Sequence, residues 1–404
     1  MITRLRQRSR DAAFVAVTIL LLALRPVLWL LERAVPAEPT LILLGSAWGR
    51  AWADSPRALH EYLLARGPHT HWRPVWITVS RSVMTDVAAA GGEVVHAASP
   101  RALWLILRAT QAIYSHSVLD VTAFPSLLPR RLRLVYTTHD VSPKRSRYMV
   151  AGRRPGLRDR LLHLIANRVT TVALSTSPFM TEVLSLQTRL PREVFVELGL
   201  PKADRLCQIV PEVPEPERDL RILYAPTWRS NRRPVELFPL KSVNQEFGAW
   251  LEAERIVLDV RPHKNDMRYA TVRSRLETLE RISPRVNAAT WERQQSITEL
   301  LPRYDVLISD YSGVIHEFLL LDRPIVLLPY DLEQFTQEQG FIYDYEKWAP
   351  GPIVRDWLEL REAIAAARQS WPEHAERRAA LRQLIWGSQQ TDSCGALLSM
   401  LARA

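Results

Sequence analysis

Short apolar runs of strand length recur along this chain, separated by segments of helical length and composition. Leu41–Leu44 (LILL) is the first strand. It is followed by a helix expected over Pro56–Arg66, where Ser55 suits the N-cap and Pro56 the first helical position. Pro74–Val79, Val94–Val95, Ala112–Tyr114, Leu132–Thr137 and Thr171–Leu174 continue the series. Beyond residue 218 it restarts with Arg221–Tyr224, Ile256–Val260, Val306–Ser309 and Ile325–Leu328, and Arg285–Asn287 is a weaker strand. Arg355–Arg368 and Pro372–Trp386 carry Leu, Ile and Ala on one face and Glu and Arg on the other, the pattern of surface helices. Alternation of this kind predicts parallel sheets covered by helices, an α/β fold.

A chain of 404 residues suits two such domains. Residues 211–218 (PEVPEPER) are proline-rich and acidic without hydrophobic periodicity, and read as a linker. The expected division is therefore 1–36 as a basic N-terminus and hydrophobic helix, 37–210 and 219–370 as two α/β domains around that linker, and 371–404 as C-terminal helices. Two Rossmann-like halves leave a cleft between them, and such folds bind ligands at the carboxyl ends of their strands.

Residues 1–10 hold four Arg and no acid, followed by an apolar run from Ala12 to Leu31 that only Thr18, Arg25 and Pro26 interrupt. Twenty helical residues rise about 30 Å, enough to cross a hydrocarbon core. Proline breaks a helix by removing a hydrogen bond and crowding the preceding turn. A re-entrant or interfacial helix is therefore expected at residues 12–31. The net charge of +10 favours anionic partners such as a membrane surface, a phosphorylated polymer or a nucleotide diphosphate. No zinc-finger spacing, RNP-like strand or basic helix supports nucleic acid as a partner. Cys207 and Cys394 form neither a disulfide framework nor a metal-ligand spacing.

Four segments place polar side chains directly after an expected strand. Tyr136-Thr-Thr-His139-Asp140 runs on to Lys144, and an imidazole with a carboxylate and an ammonium nearby suits a general base in a phosphate-rich cleft. Tyr224-Ala-Pro-Thr227-Trp-Arg229 supplies a hydroxyl and a guanidinium, and Arg261-Pro-His263-Lys264 sets two cations around an imidazole. Cations this close repel unless an anion sits among them, and Arg and Lys both suit phosphate. Ser309-Asp310-Tyr-Ser312-Gly313 precedes an apolar helix-like run, where hydroxyls and unpaired N–H groups cradle phosphate. Glu317, one turn on, suits a ribose or polyol hydroxyl. No GxGxxG or Walker A motif is present and no DxD-like acidic pair stands at a strand end in these segments, which removes the usual support for dinucleotide, P-loop and metal-clamped diphosphate sites.

In this order the segments resemble the CDP-glycerol glycerophosphotransferases, the teichoic-acid primases and polymerases. The resemblance rests on YAPTWR (224–229), RPHK (261–264), SDYSGVIHEFLLLDRPIVLLPYD (309–331), GFIYDYE (340–346), PGPIV (350–354) and GLPKAD (199–204). It implies a GT-B-like architecture, membrane association at the N-terminus, and a nucleotide site that needs neither metal nor cofactor. By the same resemblance His139 is the base for the acceptor hydroxyl and His263 stands near the donor diphosphate. Thr227, Arg261, Ser309 and Ser312 fall where donor phosphates are held, and Glu317 where many members carry an aspartate that contacts the donor. Asp140 and Lys144 are read as acceptor-side residues. Two departures stand out: Asp140-Val-Ser-Pro143 replaces the usual Gly-Thr-Pro after the first histidine, and His316 replaces an aromatic residue before the acidic position.

The implied reaction moves a polyol phosphate from CDP-glycerol or a related CDP-polyol to a lipid-linked glycan or polymer, releasing CMP. A nucleotide-activated donor is cytoplasmic, so the expected location is the cytoplasmic face of the cell membrane. The alternatives are a GT-B glycosyltransferase using a nucleotide sugar, or an inactive membrane scaffold for envelope polymer synthesis.

Overall fold

The structure is a computed structural model that describes residues 2–145, 149–150, 156–210, 217–229, 233–238, 245–288, 296–369, 374–389 and 391–403, with the side chains of residues 2–10 and 68 left aside. Residues 211–216 of the expected linker lie outside the described residues. The chain forms two compact units: Met1–His139, Ser146–Asp204 and Ser388–Ala404 make the first, and Asp140–Arg145 with Arg205–Gly387 the second.

The first unit holds a seven-stranded sheet of β1 (Glu38–Leu44), β2 (Arg73–Thr78), β3 (Glu93–His96), β4 (Ala109–Tyr114), β5 (Arg133–Tyr136), β6 (Thr170–Ser175) and β7 (Phe195–Glu197). Its order is β3-β2-β1-β4-β5-β6-β7, every pair parallel. Leu41, Ile42, Leu43 and Leu44 of β1, and Val75, Trp76 and Ile77 of β2, are buried on both faces of the sheet. That is why these strands read as continuous apolar runs rather than alternations. The edge strand β7, two half-buried residues and an exposed one, is not among the expected strands.

The second unit repeats the plan with β8 (Leu220–Tyr224), β9 (Ile256–Val260), β10 (Val286–Ala288), β11 (Val306–Ser309) and β12 (Ile325–Leu327), in the parallel order β10-β9-β8-β11-β12. Ile222, Leu258, Val306 and Ile308 pack there with Phe247 and Trp250. In each sheet the strand order reverses beside the first strand, between β1 and β4 and between β8 and β11. That reversal opens a crevice at the carboxyl ends, where doubly wound sheets take their ligands.

Three local expectations change. The helix expected from Pro56 starts at Asp54, so Ser55 is not its cap but a buried residue whose Oγ accepts the Lys202 N–H at 3.5 Å. The C-terminal segment divides: the helix Ala375–Trp386 belongs to the second unit and the helix Ser393–Arg403 to the first. The N-terminal run is two helices, Ile2–Leu22 and Arg25–Ala34, bent by 58° just before Pro26. No single described helix is long and apolar enough to cross a membrane. Arg25 donates to the carbonyls of Ser126 and Leu128, which docks the bend on the first unit. Leu20, Leu24, Val27, Leu30 and Leu31 remain exposed.

Candidate active site

In the first unit the loops after β1, β4 and β5 meet at the sheet's reversal. His139, exposed, follows β5, and its ring lies flat on that of His116 with centroids 4.1 Å apart and planes at 16°. Its carbonyl accepts from Lys202 Nζ at 2.9 Å. His116 comes from the loop after β4. Its Nδ1 accepts the Ala47 N–H at 3.2 Å, so in the neutral ring Nε2 carries the hydrogen. The Asp54 carboxylate lies 3.6 Å from the same Nδ1.

Asp120, fully buried, ties these loops together by accepting N–H groups from Trp48 (2.6 Å), Ser115 (3.0 Å), His116 (2.8 Å) and Ser117 (3.4 Å). Burial pushes its carboxyl up to about 6, against the pull of those four donors. Gly45 makes the approach possible, because a Cβ there would stand 2.0 Å from the Asp120 carbonyl oxygen. Sequence reasoning misses His116, Trp48 and Asp120. A signal existed for His116, since Tyr114-Ser-His116 repeats the strand-then-histidine pattern read at His139 and His263.

In the second unit His263 follows β9, half-buried, stacked at 5.9 Å on Trp228. Burial, with Lys264 and Lys144, lowers its pKa to about 4. The ring is therefore neutral near pH 7. Its Nδ1 accepts the Asn265 N–H at 3.1 Å, which leaves the hydrogen on Nε2 and makes that edge a donor. Arg261 beside it is buried, and burial lowers its pKa while Tyr304 opposes the shift. Lys264 is exposed, and Thr227 is half-exposed with its backbone N–H donated to Asp310 Oδ1 at 2.8 Å.

Several expected phosphate contacts prove to be scaffold. Arg229 is 2 % exposed; its Nε and Nη2 donate to Asp331 at 2.8 and 2.7 Å, and Nη2 lies 2.9 Å from Asp310. That fork is occupied by carboxylates and is not offered to a ligand. Asp310 also accepts the Tyr311 N–H at 2.6 Å, and Ser309 Oγ donates to the Ala225 carbonyl at 2.7 Å. The Ser309 bond and the Thr227 N–H on Asp310 pin the loops after β8 and β11 together. Ser312 and Gly313 are half-exposed above them. The helix that follows, Val314–Phe318, has five residues before a 3-10 turn, too short for its dipole to add to the expected phosphate cradle. Glu317 is buried and accepts from Thr298 Oγ1 at 2.6 Å, so it is held inside the unit rather than turned to a ligand hydroxyl.

Asp140 and Lys144 also move from their expected side. Residues 140–145 pack in the second unit, with Arg145 N–H on the Gly340 carbonyl (3.0 Å) and Ile342 N–H on Pro143 (2.8 Å). A Cβ on Gly313 would stand 2.4 Å from Asp140 Oδ1, so glycine makes room for that carboxylate. His316 fills an aromatic slot as a neutral ring: it is 2 % exposed, lies edge-on to Tyr343, and burial lowers its pKa to about 4. Among the described residues no three His, Cys, Asp or Glu side chains are grouped to hold a metal ion.

Two parallel sheets, each with a histidine and polar loops at the carboxyl ends beside the reversal, invite comparison with known proteins. The wall teichoic acid polymerase TagF superposes with a TM-score of 0.72 at 18% identity, covering 100% of this chain and 98% of that one, which shows a shared GT-B-like fold. The teichoic acid glycerol-phosphate transferase of Staphylococcus aureus (strain NCTC 8325 / PS 47) is 28% identical over 223 residues, 52% of this chain and 54% of that protein. The teichoic acid poly(glycerol phosphate) polymerase of Bacillus subtilis (strain 168) is 25% identical over 360 residues, 83% of this chain and 45% of that protein. The chain thus spans about half the length of these two curated relatives. The model of the family described as CDP-Glycerol:Poly(glycerophosphate) glycerophosphotransferase matches residues 28–395. With the motifs at His139, His263 and Ser309–Gly313 falling inside that range, the chain belongs to the CDP-glycerol:poly(glycerophosphate) glycerophosphotransferase family.

Proposed function

We propose that this protein transfers glycerol phosphate from CDP-glycerol to a hydroxyl of a teichoic-type polymer or lipid-linked glycan, releasing CMP. The observation that carries the reading is the state of His263: a neutral imidazole with its hydrogen on Nε2, beside Arg261, Lys264 and Lys144. Such a group serves phosphate oxygens as a fixed donor without adding to the repulsion among its cationic neighbours.

In the proposed reaction His139 takes the proton of the acceptor hydroxyl, whose oxygen bonds to the β-phosphorus of CDP-glycerol. The bond from that phosphorus to the bridging oxygen breaks, and CMP leaves with the electron pair. His263 and the neighbouring cations offset charge on the phosphates as it shifts toward CMP. No metal or cofactor is assigned a step, because the proposed charge compensation comes from Arg261, Lys264 and Lys144. The bent helix pair with its exposed leucines supports attachment to the cytoplasmic membrane surface as an interfacial element, with the basic first ten residues near anionic headgroups.

The test is CMP release from CDP-glycerol by detergent-solubilised protein, with membrane lipid extract as acceptor and EDTA present. CDP-ribitol and a UDP-sugar run in parallel. His139→Ala should lower kcat by about 10²–10⁴-fold with little change in the KM for CDP-glycerol. Unchanged turnover overturns the role of His139, UDP from the sugar donor would assign a glycosyltransferase, and loss of activity with EDTA would overturn the metal-free site.

A further inference from the structure

Beyond β1 the chain passes through Ala47, Trp48 and Gly49 with φ of 51°, 58° and 71°. L-residues hold the left-handed region only where their surroundings impose it, and such strain gathers at functional sites. Here the Ala47 N–H is bound by His116 and the Trp48 N–H by Asp120. Thr138, immediately before His139, has a φ of 39°. The strain thus falls on the two loops that carry the ring stack.

What it produces is exposure. Trp48 is 47% exposed, and its ring stands 4.9 Å from that of His116, which in turn lies on His139. Burying an indole stabilises a fold, so a strained backbone that holds one out to solvent beside the expected base does not serve the core. Resting on the proposed role of His139, we infer that Trp48, His116 and His139 form the acceptor subsite, in which Trp48 is the platform for a sugar ring of the acceptor and His116 positions His139.

The chemistry separates two kinds of acceptor. A pyranose presents a flat face of C–H groups, slightly positive, to the negative face of an indole, and leaves its hydroxyl edge for the base. A glycerol-phosphate chain has no such face, and its negative charge is repelled by the ring. The subsite therefore fits an acceptor that ends in a sugar. His116 acts through His139: lying flat against it, with Nδ1 held at the Ala47 amide, it restrains the ring.

The test measures binding of two probes, the disaccharide chitobiose and glycerol 3-phosphate, by saturation-transfer NMR and calorimetry on the full chain. Chitobiose should bind the native protein, weaken at least tenfold in Trp48→Ala and recover in Trp48→Phe, while glycerol 3-phosphate is unaffected. No chitobiose binding, binding indifferent to Trp48→Ala, or an equal loss for glycerol 3-phosphate overturns the platform. In the CMP assay His116→Ala should lower kcat at unchanged KM for CDP-glycerol and shift the acidic limb of the pH–rate profile, and His116→Phe should restore much of kcat through the stack. A His116→Phe protein as poor as His116→Ala overturns the positioning role. If the native protein releases no CMP from CDP-glycerol, the proposed function fails, and the chitobiose arms still decide the platform.

Discussion

Asp331 meets Arg229 through two contacts, 2.8 Å to Nε and 2.7 Å to Nη2, and Asp310 approaches the same guanidinium at 2.9 Å. Burial opposes the charge on Arg229, yet the two carboxylates outweigh it and hold its pKa above the ordinary arginine value. Because Asp310 also binds the N–H groups of Thr227 and Tyr311, this trio fixes the loops after β8 and β11.

Removing one partner of a buried ionic group leaves the others uncompensated, at a cost of about 3–5 kcal/mol. Arg229→Met should show a loss of that order in denaturant unfolding, with CMP release falling in step. Arg229→Lys keeps the charge but not the fork and should retain part of both. A stable, inactive Arg229→Met protein would instead make the guanidinium a ligand for phosphate.

Three histidines set an acid limit on stability. His60, His263 and His316 each have a pKa lowered to about 4, chiefly by burial, from an ordinary 6.5. Between those values the unfolded chain binds protons that the folded protein does not, so stability falls as pH drops through that window and levels below it. Each contributes at most about 1.4 kcal/mol per pH unit, less for the half-exposed His263. His60 lies between Trp52 and Trp76. The buried carboxyls of Asp120 and Asp266, raised to about 6, act in the opposite sense over part of that window. His60→Leu removes one histidine's contribution and should flatten the fall of unfolding free energy between pH 6.5 and 4. An unchanged slope would place the acid sensitivity elsewhere.

The strands were legible because a parallel strand buried on both faces needs an apolar run, and β9 and β11 match the expected bounds. The edge strand β7 lacks that requirement and leaves no such trace. At the site, residue type pointed to the right loops but not to what each side chain does. Arg229 reads as a phosphate fork until Asp310 and Asp331, distant in sequence, are seen to occupy it. Asp140 and Lys144 follow His139 directly, yet the chain enters the second unit between His139 and Asp140. Trp48 offered nothing to read, since its exposure depends on a left-handed backbone that Asp120 imposes from another loop.

The last helix returns to the first unit through one carboxylate. Asp204 accepts the N–H groups of Ser393 and Cys394 at 3.0 Å each and the Gln389 amide at 3.1 Å, capping the helix Ser393–Arg403. Losing charged hydrogen bonds at a helix start costs about 1–3 kcal/mol. Asp204→Ala should lower the melting temperature and open residues 388–392 to limited proteolysis, with Asp204→Asn intermediate. Lys202, two residues earlier, holds the His139 carbonyl, so kcat should fall with little change in donor KM. Protease resistance equal to the native protein would mean that packing alone docks the helix.

Trp48→Gly separates strain from stability. Relieving a left-handed non-glycine residue gains about 1–2 kcal/mol, and the added freedom of glycine in the unfolded chain returns about 0.5–1. The net effect should leave the melting temperature within a few degrees of native. Trp48→Val, β-branched at a φ of 58°, should be less stable than either. Acceptor use should follow a different order, Trp above Phe and far above Gly, since it depends on the ring. If Trp48→Gly instead melts many degrees lower, the indole is a packing residue and the strain at residues 47–49 serves the fold.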